Sequence, residues 1–130
     1  MKILFIVVNK YPNGDAGSIR QHEFASILKA NGYDVTILSL NQSVNIYPEK
    51  YEGITYLAFK GRYYECKKQI REYLSSCENP DILFLNTIPL PAFRYVKRYA
   101  LKNKITLVHD AVEWHSFDQY SLTDIYGLIT

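Results

Sequence analysis

Residues 2–18 read KILFIVVNKYPNGDAGS, and this stretch decides the fold. The run at 2–8 is almost wholly apolar, which predicts a strand covered on both faces. A loop over residues 9–17 carries Gly14 and Gly17, and a helical pattern begins at Ser18. Such a unit favours anion binding, because a helix N-terminus presents unpaired N–H groups and a partial positive charge. The stretch predicts an α/β domain that handles a nucleotide or a nucleotide sugar.

The rest of the chain alternates between apolar runs and amphipathic stretches. Helices are predicted over residues 18–31, 63–77 and 89–102, and strands over 34–40, 54–59, 82–85 and 105–108. This order predicts one α/β domain of 130 residues, with a mostly parallel sheet and helices on both faces. A polar loop is expected over 41–53, the strand at 54–59 is expected near an edge, and no closing strand is recognisable after Trp114.

The first helix has recognisable start and stop signals. Ser18 with Gln21 fits a capping box, and Gly32 fits the position just past a helix end. The residues spaced as one helical face, which we expect to meet the core, are Phe24, Ile27, Leu28 and Asn31.

Composition limits the partners and the location. The net charge of +2 provides no field that would attract nucleic acid. No run is long enough to span a bilayer, and the apolar run at 2–8 is too short for a signal peptide, so a cytoplasmic protein is expected. The twelve tyrosines suit a sugar-binding surface, and equally a tyrosine-rich surface without a specific role.

Cys66 and Cys77 lie on one stripe of the helix predicted at 63–77, together with Ile70 and Leu74. Helical geometry separates the two cysteines by roughly 16 Å, beyond the roughly 7 Å between Cα atoms that a disulfide spans. Two buried, reduced thiols are therefore expected. Neither cysteine has a His or Cys partner at zinc spacing, so no metal site is expected from them.

Ligands of open parallel sheets bind beyond the carboxyl ends of the strands, and the loop at 9–17 is the first candidate there. It lacks the G-x-G-x-x-G of dinucleotide-binding domains and the Gly-Lys-Ser/Thr of P-loops, and the strand at 34–40 ends without a carboxylate. The candidate residues for contact with an anion or a sugar are Gly14, Gly17, Ser18 and Arg20. A plain structural loop and a surface arginine are the alternatives.

The second candidate follows the strand at 105–108, where His109, Asp110, Glu113, Trp114 and His115 are clustered. Titratable groups at a strand end are candidates for acid–base work or for binding sugar hydroxyls. The histidines do not follow zinc-motif spacing, which disfavours a metal site. A structural loop, with Asp110 as a helix N-cap and Trp114 as a plug, is the alternative.

Taken together, these residues resemble the N-terminal half of a GT-B-fold glycosyltransferase, of the retaining family 4 branch that builds bacterial surface or capsular polysaccharides. The resemblance is carried by Tyr11-Pro12, residues 14–23, residues 30–36, His109-Asp110 and Glu113-Trp114. It implies a Rossmann-like domain with three layers, on the acceptor side of a two-domain enzyme. The glutamate pair of the family's donor domain is absent, so the chain is expected to be a truncated piece that lacks that domain and is inactive alone.

The resemblance also implies a reaction and roles for residues. A sugar would move from a nucleoside-diphosphate sugar to a lipid-linked or oligosaccharide acceptor with retention, without a metal or another cofactor. The loop around Gly17 would face the donor diphosphate, His109 would be the catalytic residue beside the donor sugar, and Asp110 and Glu113 would lie on the acceptor side. The alternatives are a nucleotide-binding oxidoreductase or epimerase domain, and a non-catalytic α/β binding module.

The helix at 89–102 suggests a further partner. Arg94, Arg98 and Lys102 are spaced four apart, with Lys97 beside them, and they form a basic outer face. Such a face predicts either peripheral contact with the inner surface of the membrane or a plain solvated surface.

Overall fold

A computed structural model of the protein describes residues 1–12, 14, 16–86 and 88–110. Glu113, Trp114 and His115 lie outside the described residues. In chain order the elements are β1 (Lys2–Val7), α1 (Ala16–Ala30), β2 (Asp34–Gln42), β3 (Ile46–Tyr51), β4 (Ile54–Lys60), a 3-10 turn (Tyr63–Glu65), α2 (Cys66–Ser76), β5 (Ile82–Leu85), α3 (Leu90–Lys102) and β6 (Thr106–His109).

The strands form one six-stranded sheet in the order β3-β4-β2-β1-β5-β6. All neighbouring strands are parallel except β3, which runs antiparallel to β4. β1 lies at the centre, with Phe5 opposite Ile37 of β2 on one side and Phe84 of β5 on the other. The predicted fold class is confirmed: this is a mostly parallel α/β domain of the Rossmann type.

Each face of the sheet is covered by a separate apolar core, which gives three layers. Leu4 and Ile6 of β1 point to the side of α2 and α3. Ile3, Phe5 and Val7 point to the side of α1, where Phe5 stacks on Phe84 with 4.4 Å between ring centroids. Burial of both faces explains why β1 reads as a continuous apolar run instead of an alternating one.

The expected polar loop at 41–53 is wrong. β2 continues to Gln42, and residues 46–51 form β3, which pairs with β4. β4 lies between β3 and β2, one strand in from the edge, so it is near an edge as predicted. The sequence hides β3 because it is an exposed edge strand that carries Pro48, Glu49 and Lys50, the residue types that protect such edges from further pairing.

The face of α1 toward the core matches the prediction only in part: Phe24 and Leu28 pack half-buried against the core as expected, whereas Ile27 and Asn31 are exposed. The helix begins at Ala16, so Ser18 lies inside its first turn instead of capping it. The buried residues are Ser18, Gln21 and Ala25, whereas Ile27 is 60% exposed. Small and amide side chains at this face let the helix backbone approach the sheet closely, and a search for large apolar residues misses such a face.

The end of α1 is as predicted. Gly32 adopts a positive φ of 91°, and its N–H donates to the carbonyl of Lys29. The N–H of Tyr33 donates to the carbonyl of Leu28. This pair of hydrogen bonds is the Schellman arrangement, which satisfies carbonyls that the helix end would leave unpaired.

The helices on the other face follow their predicted patterns closely. In α2, Cys66, Ile70 and Leu74 are buried, and in α3, Val96 and Ala100 are buried. Cys77 is half-buried just past the end of α2, and both cysteines are free. Within the described residues, no helix combines the length and apolar character needed to cross a membrane.

Candidate functional site at the carboxyl edge of the sheet

The order of the parallel strands reverses at β1, which lies between β2 and β5. In Rossmann-type sheets the ligand crevice opens outside the carboxyl ends of the strands at this switch point. Asn9 follows β1, and Asn86 follows β5. Asn86 is 7% exposed and its N–H donates to the carbonyl of Ile6. Two asparagines thus flank the place where a ligand is expected; the sequence places both in segments at this edge but assigns neither a role.

A polar network ties the end of β1 to its neighbours. The Gln21 Nε2 of α1 donates to Asn9 Oδ1 at 3.0 Å, and Ser39 Oγ of β2 donates to the Asn9 carbonyl at 2.5 Å. Gln21 is fully buried, and its Oε1 has no hydrogen-bond partner in the described part of the chain. Polar residues that directly follow an apolar strand were the signal in the sequence for Asn9.

The loop at residues 9–17, which we call the glycine loop, packs so closely around Gly14 that a side chain there would clash. A Cβ on Gly14 would lie 2.1 Å from the carbonyl oxygen of Lys10 and 2.9 Å from Ser18 Oγ. The Gly14 N–H donates to that Ser18 oxygen at 3.2 Å. The chain's own fold therefore requires a glycine at position 14. Gly17 and Ser18 lie in the first turn of α1, and Ser18 is buried. A role for these residues toward a diphosphate stays a prediction.

Arg20 and Asp110, which belong to the two separate candidate segments, meet in the structure. Arg20 Nη2 lies 2.9 Å from Asp110 Oδ1, and Arg20 Nε lies 3.2 Å from Asp110 Oδ2. The hydrogen bond with Asp110 raises the pKa of the guanidinium above its ordinary value. The guanidinium also lies over the ring of Phe24, 4.9 Å from its centroid. The start of α1 and the end of β6 thus converge at one edge.

His109 ends β6 and is exposed to solvent. Its ring lies 5.0 Å from that of Phe93 on α3, and Asp110, the next residue, donates its N–H to the Leu85 carbonyl at 2.7 Å. The imidazole is therefore packed on one face and accessible at the carboxyl edge. The prediction of a catalytic role is compatible with this placement but is not tested by it.

A second network, which sequence reasoning missed, joins Tyr11, His22 and Glu52. The Tyr11 oxygen lies 2.5 Å from His22 Nδ1, and His22 Nε2 lies 2.7 Å from Glu52 Oε2. Tyr11 is only 2% exposed, and burial raises the pKa of its hydroxyl. Its ring packs edge-on against Tyr51 and Tyr56. Through these contacts the glycine loop is held against the turn between β3 and β4.

The end of β2 is where dinucleotide-binding domains place a carboxylate for the ribose. Here it carries Asn41 and Gln42. The Gln42 amide is engaged by the fold, because Nε2 donates to the carbonyls of Val8 at 3.0 Å and Leu40 at 2.6 Å. Among the described residues no group of three or more His, Cys, Asp and Glu side chains is placed to hold a metal ion.

No protein-family model and no curated protein matches the chain. Among solved structures it is similar to a double mutant of a short-chain dehydrogenase/reductase from Serratia marcescens, with a TM-score of 0.50 and 14% sequence identity. The match covers 98% of this chain and 67% of that chain. At this level of identity the likeness shows the fold alone, and it agrees with the Rossmann-like architecture described above.

Proposed function

We propose that this chain is the acceptor-side domain of a glycosyltransferase. The complete enzyme would move a sugar from a nucleoside-diphosphate sugar to a lipid-linked or oligosaccharide acceptor, with retention. The proposal combines the Rossmann-like fold with the resemblance of residues 14–23 and of the His109-Asp110 pair to retaining family 4 enzymes.

The observation that carries the proposal is the ion pair between Arg20 and Asp110, which are separated by 90 residues in sequence. It brings the start of α1 and the end of β6 to the same edge of the sheet, where a Rossmann-type domain binds its ligand. The two segments that carry the resemblance therefore meet at one edge, which supports the proposal that they serve the same site. The carboxylate of Asp110 is 11% exposed, so Arg20 also fixes its orientation.

The proposed roles come from the resemblance, and this placement is compatible with them. His109, at the exposed end of β6, positions the donor sugar, and the first turn of α1 faces the diphosphate with the positive end of the helix. Stabilisation of the departing diphosphate then carries much of the catalysis, because fixed dipoles act where negative charge develops. Arg20 holds Asp110 at the acceptor side of the cleft.

Titration of the domain with matched ligands tests the proposal. Nucleoside-diphosphate sugars and oligosaccharides are compared with NAD and NADP by NMR shift mapping on the same sample. We expect weak, saturable shifts at residues 16–20 and 109–110 with the sugar ligands, with dissociation constants on the order of millimolar, which corresponds to about 4 kcal/mol. Tighter binding of NAD or NADP at the same residues would overturn the proposal in favour of an oxidoreductase domain.

A further inference from the structure

A second concave surface, lined by residues other than those of the candidate site above, lies between α2 and α3. We call it the α2–α3 groove, and it encloses a cavity of about 240 Å³. The residues that line it are Lys67, Leu90, Pro91, Arg94, Tyr95 and Arg98. This volume is below the roughly 300 Å³ at which pockets for drug-sized ligands begin, so the groove suits a small chemical group.

The charge of the groove is strongly one-sided. Lys67 comes from one wall and Arg94 and Arg98 from the other, and none of the described residues that line the cavity carries a carboxylate. Within the described residues, none of these three cations takes part in an ion pair. Three positive charges therefore line one small cavity, and a bound anion would reduce their mutual repulsion.

The acidic residues of α2 and of the turn before it are engaged elsewhere. Glu65 Oε1 accepts a hydrogen bond from the Arg62 N–H at 2.9 Å. Glu72 lies one turn beyond Lys68 and 4.0 Å from its ammonium group. Neither of these two carboxylates lines the groove, so neither neutralises its cations.

The start of α3 adds to this field. α3 begins at Leu90, which lines the cavity, and no side chain caps this helix start by a hydrogen bond. Its partial positive charge therefore acts in the same direction as the three side chains. α2 does not add a helix end, because it continues from the 3-10 turn and its Cys66 N–H donates to the Tyr63 carbonyl.

We propose that the α2–α3 groove binds a phosphate group, carried by a small phosphorylated molecule or by a lipid headgroup. Arg94 and Arg98 are one helical turn apart and present two guanidinium groups from one wall, a geometry suited to several phosphate oxygens. Lys67 supplies a point charge from the opposite wall. The site does not depend on the transferase proposal, because none of its residues is assigned a role in that proposal.

Paired charge variants provide the test. Arg94→Gln/Arg98→Gln removes two charges from the groove, and Lys97→Gln/Lys102→Gln removes two charges from the same helix outside it. All four side chains are exposed, so both variants are expected to fold, which thermal melts check. The probe is inorganic phosphate at constant ionic strength, followed by the NMR shifts of residues 66–68 and 90–98. We expect saturable binding that weakens at least about tenfold in the groove variant and less than about twofold in the control.

Vesicles identify the source of the phosphate group. Sedimentation compares vesicles of phosphatidic acid and phosphatidylcholine with pure phosphatidylcholine, using the same variants. Binding to the anionic vesicles that requires Arg94 and Arg98 supports the site with a headgroup as ligand, and phosphate binding without vesicle binding supports it with a soluble ligand. The proposal is overturned if neither probe binds, if both variants lose binding equally, or if chloride reproduces the shifts.

Discussion

At the scale of single residues, Tyr11 gives the clearest link between burial and chemistry. Burial raises the pKa of its hydroxyl above the ordinary value of 10.0. A group whose pKa rises on folding stabilises the fold below its unfolded pKa, and this contribution is lost as the pH climbs toward the folded value. We expect the free energy of unfolding to fall above pH 10, by up to about 1.4 kcal/mol per pH unit from this group alone.

Urea unfolding between about pH 8 and pH 11 measures this effect, with Tyr11→Phe as the variant that cannot ionise. The loss of stability above pH 10 should be shallower in Tyr11→Phe than in the parent protein. Tyr47→Phe is the matched control, because Tyr47 is 83% exposed and should leave the pH dependence unchanged. Equal slopes in all three proteins would contradict the assigned role of burial.

Gly14 allows a prediction at the same scale. A Cβ there would press on the Lys10 carbonyl at 2.1 Å, and backbone cannot move aside as a side chain does. Gly14→Ala is therefore expected to destabilise the fold by about 1–3 kcal/mol, the usual range for overpacking. Gly61→Ala is the comparison, since its Cβ would meet only the flexible end of Gln69. Chemical denaturation measures the free energy of unfolding of both variants. A smaller loss of stability in Gly14→Ala than in Gly61→Ala would contradict the prediction.

The sequence indicated which segments form the candidate site but not how their side chains combine. Gly14, Arg20 and Asp110 were all selected, because glycines near a helix start and charges near a strand end are local signals. The pairing of Arg20 with Asp110 depends on the path of the chain over 90 residues, which no local pattern encodes. The Tyr11–His22–Glu52 network was missed for the same reason.

At the scale of elements, the central strands, the edge strand β6 and the helices were predictable, whereas the edge strand β3 and part of the buried face of α1 were not. β1 and β5 are apolar because both of their faces are buried. β3 is exposed and polar, and it pairs with β4 through backbone hydrogen bonds. Its side chains therefore show no apolar pattern from which a strand could be predicted. In α1, the buried face uses Ser18, Gln21 and Ala25, which a search for large apolar side chains passes over.

Two substitutions in α1 distinguish the observed face from the one expected from spacing. Ile27 is 60% exposed, so Ile27→Gln should change the free energy of unfolding by less than about 0.5 kcal/mol. Ala25 is fully buried, so Ala25→Leu should overpack the contact with the sheet and cost about 1–3 kcal/mol. Urea unfolding of both variants measures the two values. If Ile27→Gln lowers the free energy of unfolding more than Ala25→Leu does, Ile27 belongs to the buried face, as its spacing predicts.

At the scale of the whole molecule, the predicted alternation of strands and helices was enough to specify a parallel sheet with helices on both faces. Right-handed crossovers then bring the carboxyl ends of the strands to one edge, whatever residues they carry. This is why the location of the site follows from the sequence more readily than its chemistry does. The edge places Asn9, Asn86, Arg20 and Asp110 near each other, and it leaves His109 exposed beside them.

The transferase proposal leads to a prediction for the full-length protein that carries this domain. His109 is exposed, so His109→Ala should leave the thermal melt nearly unchanged. If His109 positions the donor sugar, its loss should lower the rate of transfer on the order of a hundredfold, the scale of a small misplacement of reacting groups. Thr106→Ala is the matched control, because Thr106 is exposed at the opposite end of the same strand.

Gly17→Val probes the facing side of the same site. A side chain at Gly17, in the first turn of α1, should keep the backbone from approaching the donor diphosphate. Transfer assays and melts on the intact enzyme separate this effect from a loss of fold, since valine is no worse a helix former than the glycine it replaces. For the His109→Ala prediction, the contradicting outcome is a folded variant that transfers sugar as fast as the parent enzyme. His109 would then be a structural residue at the end of β6. The α2–α3 groove would be unaffected by that outcome, because its cations lie on other elements.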